Sequence, residues 1–562
     1  MSKEKDEYNE KKIPYGLTDF KRIQTENWYY IDKTKFIPII EDGASFVTFL
    51  RPRRFGKSLT LNMLCAYYDS FFKDDYDAIF SQTEIFKNPT PLKNSFSILK
   101  FDFSKIDITD YEHSFRQHIN IQIKSFIEKY RLKLVVEYDA NPIDNLQKLF
   151  QYSLANSLSI YLFIDEYDNF ITKLLVSSKT NYKNMVTSKD AIYKEFFTML
   201  KAGTSDNDSA IKKIFITGVS PLALYDVTSG SNNISNITLD RDLNDLVGIT
   251  KNELKKMIQY YGLDNKKERI IETCNEWYNS YRFNEDVENT IYNSDMVLFY
   301  FNKLLKSGKE PRDLVDPNVR TDYSKLKYLL LSEKKLNGNF KFLNDLLEGN
   351  KIQLMGLKDN FSAFELTNRD NFKSFMFSLG FCTMEKNLFR LSLKVPNQTI
   401  KKLLAEFIHY AYQDFEDYNM DVDTLNEHLA EMAISKDLEV FHYIAEIIKS
   451  NSSLRDFIDG ENFIKAYFLA YLNLNNIYEI ASEKESNKGF IDIFLNPSRD
   501  EIPFGAIIEL KYIKKGDYTE TLKNQRVKEA KAQLVQYDMG ERFVKVILVF
   551  KGWEMVFCEK VL

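Results

Sequence analysis

The chain has 562 residues, room for three or four domains at roughly 100–200 residues each, and 44% of them are hydrophobic, with only 19 Gly and 12 Pro. Lys and Arg total 76 against 81 Asp and Glu, a net charge of −5, which excludes a bulk polycation that coats nucleic acid or anionic lipid. Any polyanion must therefore meet a local basic patch. Cys65, Cys274, Cys382 and Cys558 lie far apart, so neither a disulfide framework nor a Cys-type zinc site is suggested, and a reducing cytosol fits. The five histidines have no metal-ligand spacing, and surface or core roles are expected for them. The charged start Met1-Ser-Lys-Glu-Lys-Asp-Glu7 lacks an apolar signal segment, and no run approaches the roughly 18 apolar residues of a membrane span. The expectation is a soluble, cytoplasmic chain with no membrane partner.

In chain order, residues 1–13 are charged and aperiodic and read as a disordered tail. From 14 to 250, apolar β-runs alternate with longer helical patterns: Ser45–Leu50, Phe96–Asp102, Ile160–Ile164 and Ile214–Thr217. Continuous apolar strands separated by helices predict a parallel sheet covered on both faces, an α/β domain. Residues 251–455 are mainly helical, with apolar side chains at three- and four-residue steps that pack a core and carry no chemistry. A second α/β pattern closes the chain over 456–562: β-runs at Gly489–Leu495, Ala506–Tyr512 and Val544–Phe550, and a polar helix over about Thr519–Tyr537.

The first β-run leads into Arg51-Pro-Arg-Arg-Phe-Gly-Lys-Ser58 and then a helix. This is the strand–loop–helix setting of G-x-x-x-x-G-K-[ST], with Arg51 at the first glycine. Arg54, Phe55, Gly56, Lys57, Ser58 and Leu59 would cradle the phosphates of ATP, with Lys57 reaching the β/γ-phosphates and the Ser58 hydroxyl on Mg²⁺. Downstream, Tyr161-Leu-Phe-Ile164 runs into Asp165-Glu166. Asp165 is placed to hold the ion and Glu166 to orient an attacking water. A further strand ends in Thr217-Gly-Val-Ser-Pro221, where Thr217 or Ser220 could sense the γ-phosphate. A helix-capping loop, a surface acid pair and a turn would look the same singly, but each of the three features ends an expected parallel strand, where α/β ligands bind.

Together with Ile13-Pro-Tyr-Gly-Leu-Thr-Asp-Phe20, Tyr30-Ile-Asp-Lys-Thr34 and Gly218-Val-Ser-Pro221, this loop resembles the AAA-ATPase-like family often fused to a C-terminal PD-(D/E)XK nuclease-superfamily domain. An arginine-rich loop commonly replaces the first glycine in that family. Trp277-Tyr-Asn-Ser-Tyr-Arg-Phe283 resembles its Trp-Tyr-x-Gly-Tyr-Arg-Phe stretch, with Ser280 at the glycine. The resemblance implies a P-loop NTPase sheet, a helical middle and a nuclease-like α/β domain.

Near the C-terminus, Asp492 lies in Gly489-Phe-Ile-Asp-Ile-Phe-Leu495, and Glu509 and Lys511 share a face of Ala506-Ile-Ile-Glu-Leu-Lys511. Two carboxylates and an ammonium can converge there. Carboxylates with water suit Mg²⁺ or Mn²⁺, and Lys511 would orient the attacking water. The pattern resembles the D-(x)n-E-x-K signature of the PD-(D/E)XK superfamily, and Gln533 with Tyr537 resembles its accessory Gln-x-x-x-Tyr motif. Three solvated charges on a hairpin remain the competing reading. Glu483 and Glu485 could add a metal contact or be loop charges, and Lys514, Lys515, Lys523, Arg526, Lys528 and Lys531 could meet phosphates or form a solvated helix. The expected function is an ATP-controlled, Mg²⁺-dependent nuclease acting on nucleic acid, DNA foremost, with self-association open. The alternative is a nucleotide-dependent signalling or scaffold protein without turnover.

Overall fold

A computed structural model describes residues 10–561 apart from 138–139, 189, 205–208, 223–225, 227–233, 320–337, 360, 367, 388–389, 414–420, 451–459, 487–488 and 538. The tail up to residue 9 and the expected boundary at 455/456 lie outside the described residues, as does the side chain of Glu485. The chain packs as two compact units, Met1–Leu329 with Leu354–Leu391, and Leu330–Gln353 with Ser392–Leu562. Helices of the middle stretch fall in both: Lys251–Tyr260 and Lys267–Tyr278 in the first, Val422–Ser435 and Glu439–Ser450 in the second.

The first unit is built on five parallel strands, β1 (Phe46–Leu50), β2 (Ser97–Asp102), β3 (Ile160–Asp165), β4 (Ile211–Gly218) and β5 (Ser235–Asn236), in the order β2-β3-β4-β1-β5. All six residues of β3 are buried, as the uninterrupted run Ile-Tyr-Leu-Phe-Ile-Asp requires of a strand covered on both faces. Helices α1 (Lys57–Tyr68), α2 (Tyr111–Lys129), α3 (Pro142–Ala155) and α4 (Ile192–Ala202) make the connections. Because β4 lies between β1 and β3, the loops leaving these three strands meet at one edge, where open α/β sheets bind ligands. A later helix, α5 (Ser294–Ser307), capped by the Asn293 side chain on the Met296 N–H, belongs to the same unit.

The second unit contains helices α6 (Gly338–Leu347), α7 (Gln398–Gln413), α8 (Glu461–Leu472) and α9 (Glu520–Gln536) and a mixed five-stranded sheet. Its strands are β6 (Tyr478–Ser486), β7 (Gly489–Pro497), β8 (Gly505–Ile513), β9 (Phe543–Lys551) and β10 (Glu554–Val561), hydrogen-bonded in sequence order. Only the β8–β9 pair is parallel, with α9 as its crossover. The core on one side joins Phe494, Ile507, Ile513 and Val549 to Ala530 and Leu534 of α9. The sequence pattern located β7, β8 and β9 but not the outer strands β6 and β10, whose polar alternation (Tyr-Glu-Ile-Ala-Ser-Glu-Lys-Glu-Ser in β6) reads as loop. No described helix is long and apolar enough to cross a membrane.

Candidate functional site

In the first unit, Leu50 ends β1 and the chain turns through Arg51–Gly56 into α1. Gly56 has φ +92, a conformation that glycine adopts without strain, and Arg54 at φ +70 adopts it at a cost. Interactions from beyond the sheet hold the turn. The Phe55 ring stands edge-on to Tyr281 and Phe283, with centroids 4.8 and 5.5 Å away, and its carbonyl accepts from the Gly248 N–H at 2.9 Å. Arg54 pairs with Asp295 at 3.1 Å, and its carbonyl accepts from the Ser294 hydroxyl at 3.2 Å. The loop therefore sits on the Tyr281–Phe283 stretch and the first turn of α5.

Lys57, Ser58 and Asp165 come together at the loop mouth. Lys57 is buried and donates to the Pro52 carbonyl at 2.9 Å, and burial lowers its pKa against the pull of Glu166, Asp168 and Asp165. Asp165 is 4% exposed, and burial pushes it up to about 6 despite the hydrogen bond from the Ser58 hydroxyl. Its Oδ1 is buried without a hydrogen-bond partner among the described residues. An orphaned carboxylate oxygen beside a hydroxyl and an ammonium fits a divalent ion carrying phosphate. Glu166 follows with φ +52, and its carboxylate accepts from Asn169. These groups border a cleft of about 670 Å³ that reaches Gly16, Tyr29 and Ile31 on one side and Lys100, Asp102 and Lys105 on the other. Thr217 is not among the lining residues. It is fully buried, its Oγ1 has no hydrogen-bond partner among the described residues, and Ser220 is tied to Asp168, whose carboxylate accepts from the Val219 and Ser220 N–H groups at 3.1 and 2.8 Å.

Arg51 does not face the cleft. It is 1% exposed, its guanidinium lies 4.4 Å from the Phe49 ring centre and 4.2 Å from that of Phe283, and it donates to the carbonyls of Leu50, Thr238 and Leu243. Burial pulls it down to about 9 against Asp240 and Asp245. The residue that stands for the missing glycine is thus a structural pin behind the loop and not part of the cradle.

In the second unit, strand register builds the other site. β6 pairs Ser482 with Ile493 and Lys484 with Ile491, which sets Glu483 across from Asp492; β7 pairs Ile493 with Ile508, which sets Glu509 next in the row. Asp492 Oδ2 accepts from the Leu510 N–H at 2.9 Å, and Lys511 Nζ donates to Glu509 Oε1 at 2.7 Å. Glu509 is 1% exposed. Burial, then the Asp492 charge, push it up to about 7, with a hydrogen bond shared with Asp492 adding to the rise, and its Oε2 receives no N–H or hydroxyl hydrogen bond among the described residues. Lys511 is raised: burial, the largest influence, works against its charge, and the bond to Glu509 together with the charges of Glu509, Asp492 and Glu461 outweighs it. Among the described residues, no group of three or more His, Cys, Asp or Glu could hold a metal ion. Two neighbouring carboxylates, one with an orphaned oxygen, still fit Mg²⁺ or Mn²⁺, which keeps several waters and takes one or two carboxylates.

Comparison with known proteins matches two families, each over part of the chain. Residues 14–228 match the AAA-ATPase-like family (predicted AAA-ATPase), and residues 459–560 match the PD-(D/E)XK nuclease superfamily. The chain thus joins an N-terminal segment that matches the AAA-ATPase-like family to a C-terminal segment that matches the PD-(D/E)XK nuclease superfamily. A relative described as an uncharacterized protein in the vnfD 5' region of Azotobacter chroococcum mcd 1 is 24% identical over 420 residues, covering 72% of this chain and 70% of that protein. Among solved structures, the Aeropyrum pernix ORC2 protein (ADPNP-ADP complexes) aligns at 11% identity and TM-score 0.32, over 70% of this chain and 98% of that one. Cdc6p from Pyrobaculum aerophilum aligns at 10% identity and TM-score 0.26, over 73% and 97%.

Within the nuclease-superfamily domain, Gln533 stands exposed on α9 and makes no described contact with Asp492, Glu509 or Lys511. Its partner in the motif, Tyr537, is buried, donates to the Phe490 carbonyl at 2.8 Å and senses the charges of Glu509 and Asp492. Lys523 and Arg526 pair with Glu520 and Glu529 on the same helix, while Lys514, Lys515, Lys528 and Lys531 are exposed. Two residues at the cluster escaped the sequence reading, Glu461 and Lys465, one turn apart on α8. Burial raises Glu461, with the charges of Lys511 and Asp492 next among its influences, and Lys465 meets both Glu483 and Asp492. The available signal was a lone lysine inside Phe463-Ile-Lys-Ala-Tyr-Phe-Leu-Ala-Tyr471.

Proposed function

We propose that the AAA-ATPase-like domain binds and hydrolyses ATP with Mg²⁺ and thereby controls a C-terminal nuclease that cleaves nucleic acid phosphodiesters, DNA foremost. The reading keeps the sequence divisions at 14–250, 251–455 and 456–562, and the four free cysteines suit a reducing cytosol. Its main support is the row Glu483–Asp492–Glu509 with Lys511 bonded to Glu509, because a buried carboxylate set beside a second one is costly unless a proton or a cation lies between them. When bound there, Mg²⁺ or Mn²⁺ would supply an activated water and neutralise the scissile phosphate. Asp492 and Glu509 would hold that ion, Glu483 could assist, and Lys511 would position the water and stabilise charge developing on the phosphate. Upstream, Ser58 and Asp165 would hold the nucleotide's ion, Lys57 would leave the Pro52 carbonyl for phosphate, and Glu166 would orient water.

Cleavage assays on duplex DNA, single-stranded DNA and RNA with Mg²⁺ and ATP test the proposal. Asp492→Ala and Lys511→Ala should abolish cleavage and leave ATP binding intact, and Lys57→Ala should weaken ATP binding. No cleavage of any substrate, together with no metal binding lost in Asp492→Ala, would sink the nuclease reading. The second reading, a nucleotide-dependent signalling or scaffold protein, gains from Lys465 occupying Asp492 and Glu483. Metal-independent nucleic-acid binding without turnover would favour it.

A further inference from the structure

Helix α8 buries ten of its twelve residues, and Lys465 is its one basic side chain, 7% exposed. A buried ammonium is stable only where counter-charges meet it. Here Nζ pairs with Glu483 and lies 3.4 Å from Asp492 Oδ1. Glu483 holds φ +50 while doing so, a strained choice for a non-glycine residue. The remaining Asp492 oxygen is taken by the Leu510 N–H. Glu461, one turn before Lys465, and Glu348, just beyond α6, also interact with the Lys465 charge. The ammonium thus sits where acidic groups from β6, β7, α8 and the end of α6 converge, on the Asp492 oxygen that a divalent ion would need.

We propose that Lys465 is a resident counter-ion of this site, which occupies Asp492 and Glu483 without metal and competes with the incoming cation, so that it sets metal affinity. This rests on the reading of Asp492 and Glu509 as metal-holding residues. A unit charge replaced by a divalent one at the same carboxylates strengthens the attraction, and the displaced ammonium keeps Glu461 and Glu348 as neighbours.

The test uses the intact chain and Mn²⁺ alone, with free Mn²⁺ followed by electron paramagnetic resonance and thermal unfolding followed with EDTA or Mn²⁺. Binding at this site is counted as the portion lost in Asp492→Asn. Lys465→Met should lower Tm in EDTA, bind Mn²⁺ roughly tenfold more tightly and gain more Tm from Mn²⁺ than the parent chain does. Lys465→Gln, which keeps a donor and loses only the charge, should do the same and serves if the methionine variant does not fold. Unchanged or weaker Mn²⁺ binding in the folded variant, with the parent still losing its site in Asp492→Asn, would overturn the counter-ion role and leave the metal reading standing. No Asp492-dependent Mn²⁺ binding in parent or variants would overturn both.

Discussion

At Ser280 the backbone turns to φ +75, at the position where the resembling stretch carries glycine. A left-handed non-glycine residue costs about 1 kcal/mol. Ser280→Gly should therefore raise stability only slightly, by up to about 0.5 kcal/mol in denaturant unfolding, once the extra chain entropy of glycine is counted. Arg51 argues the other way. Restoring the expected glycine by Arg51→Gly should cost about 2–4 kcal/mol and weaken ATP binding, since three carbonyls lose their donor and Phe49 and Phe283 lose the group between them. His118, buried on α2, accepts from the Asp102 N–H at 3.4 Å, and burial pulls it down to about 4. Its folded pKa lies below the unfolded value near 6.5, so its contribution is complete above that value and is lost as pH falls toward 4. His118→Gln should flatten the acid limb of the stability profile, a slope on the order of 2–3 kcal/mol across that window.

Among elements, β3 and β4 meet tightly at the nucleotide edge. A Cβ on Gly218 would lie 2.5 Å from both Asp168 Oδ1 and the Tyr167 ring, and Asp168 fixes the Val219 and Ser220 N–H groups. Gly218→Ala should cost about 2–3 kcal/mol and loosen the Asp165–Glu166 turn, read as lower Tm together with weaker ATP binding. The sequence made β1, β3 and β4 legible because both faces are covered, so each shows as a continuous apolar run too short for a buried helix. It also placed Glu509 and Lys511 on one face, since period two is a local property. It missed β6 because an outer strand with solvent on one side carries little apolar signal, and with β6 it lost the register that sets Glu483 across from Asp492. Thr217 stands at the strand end that the sequence marks, but it is buried and does not line the cleft, a matter of packing that no local pattern carries.

At the scale of the whole molecule, the packing into two compact units sets an expectation for unfolding. Calorimetry should resolve two transitions, with ATP and Mg²⁺ raising the one that reports the unit holding Lys57, by mass action on the folded state alone. Lys57→Ala should remove that rise and leave the other transition unmoved; a single transition shifted as a whole would contradict it.

Strand, turn and helix in succession, a lysine and hydroxyl at the start of α1, and acids at strand ends follow from neighbouring residues, and the sequence determined them by itself. Tertiary structure alone decided that Arg51 pins the loop from behind, that Phe55 is clamped by Tyr281 and Phe283, and that Lys465 rests on Asp492. Those meetings depend on strand register, backbone sign and burial, which no single segment contains, because each partner's environment is made by chain distant from it.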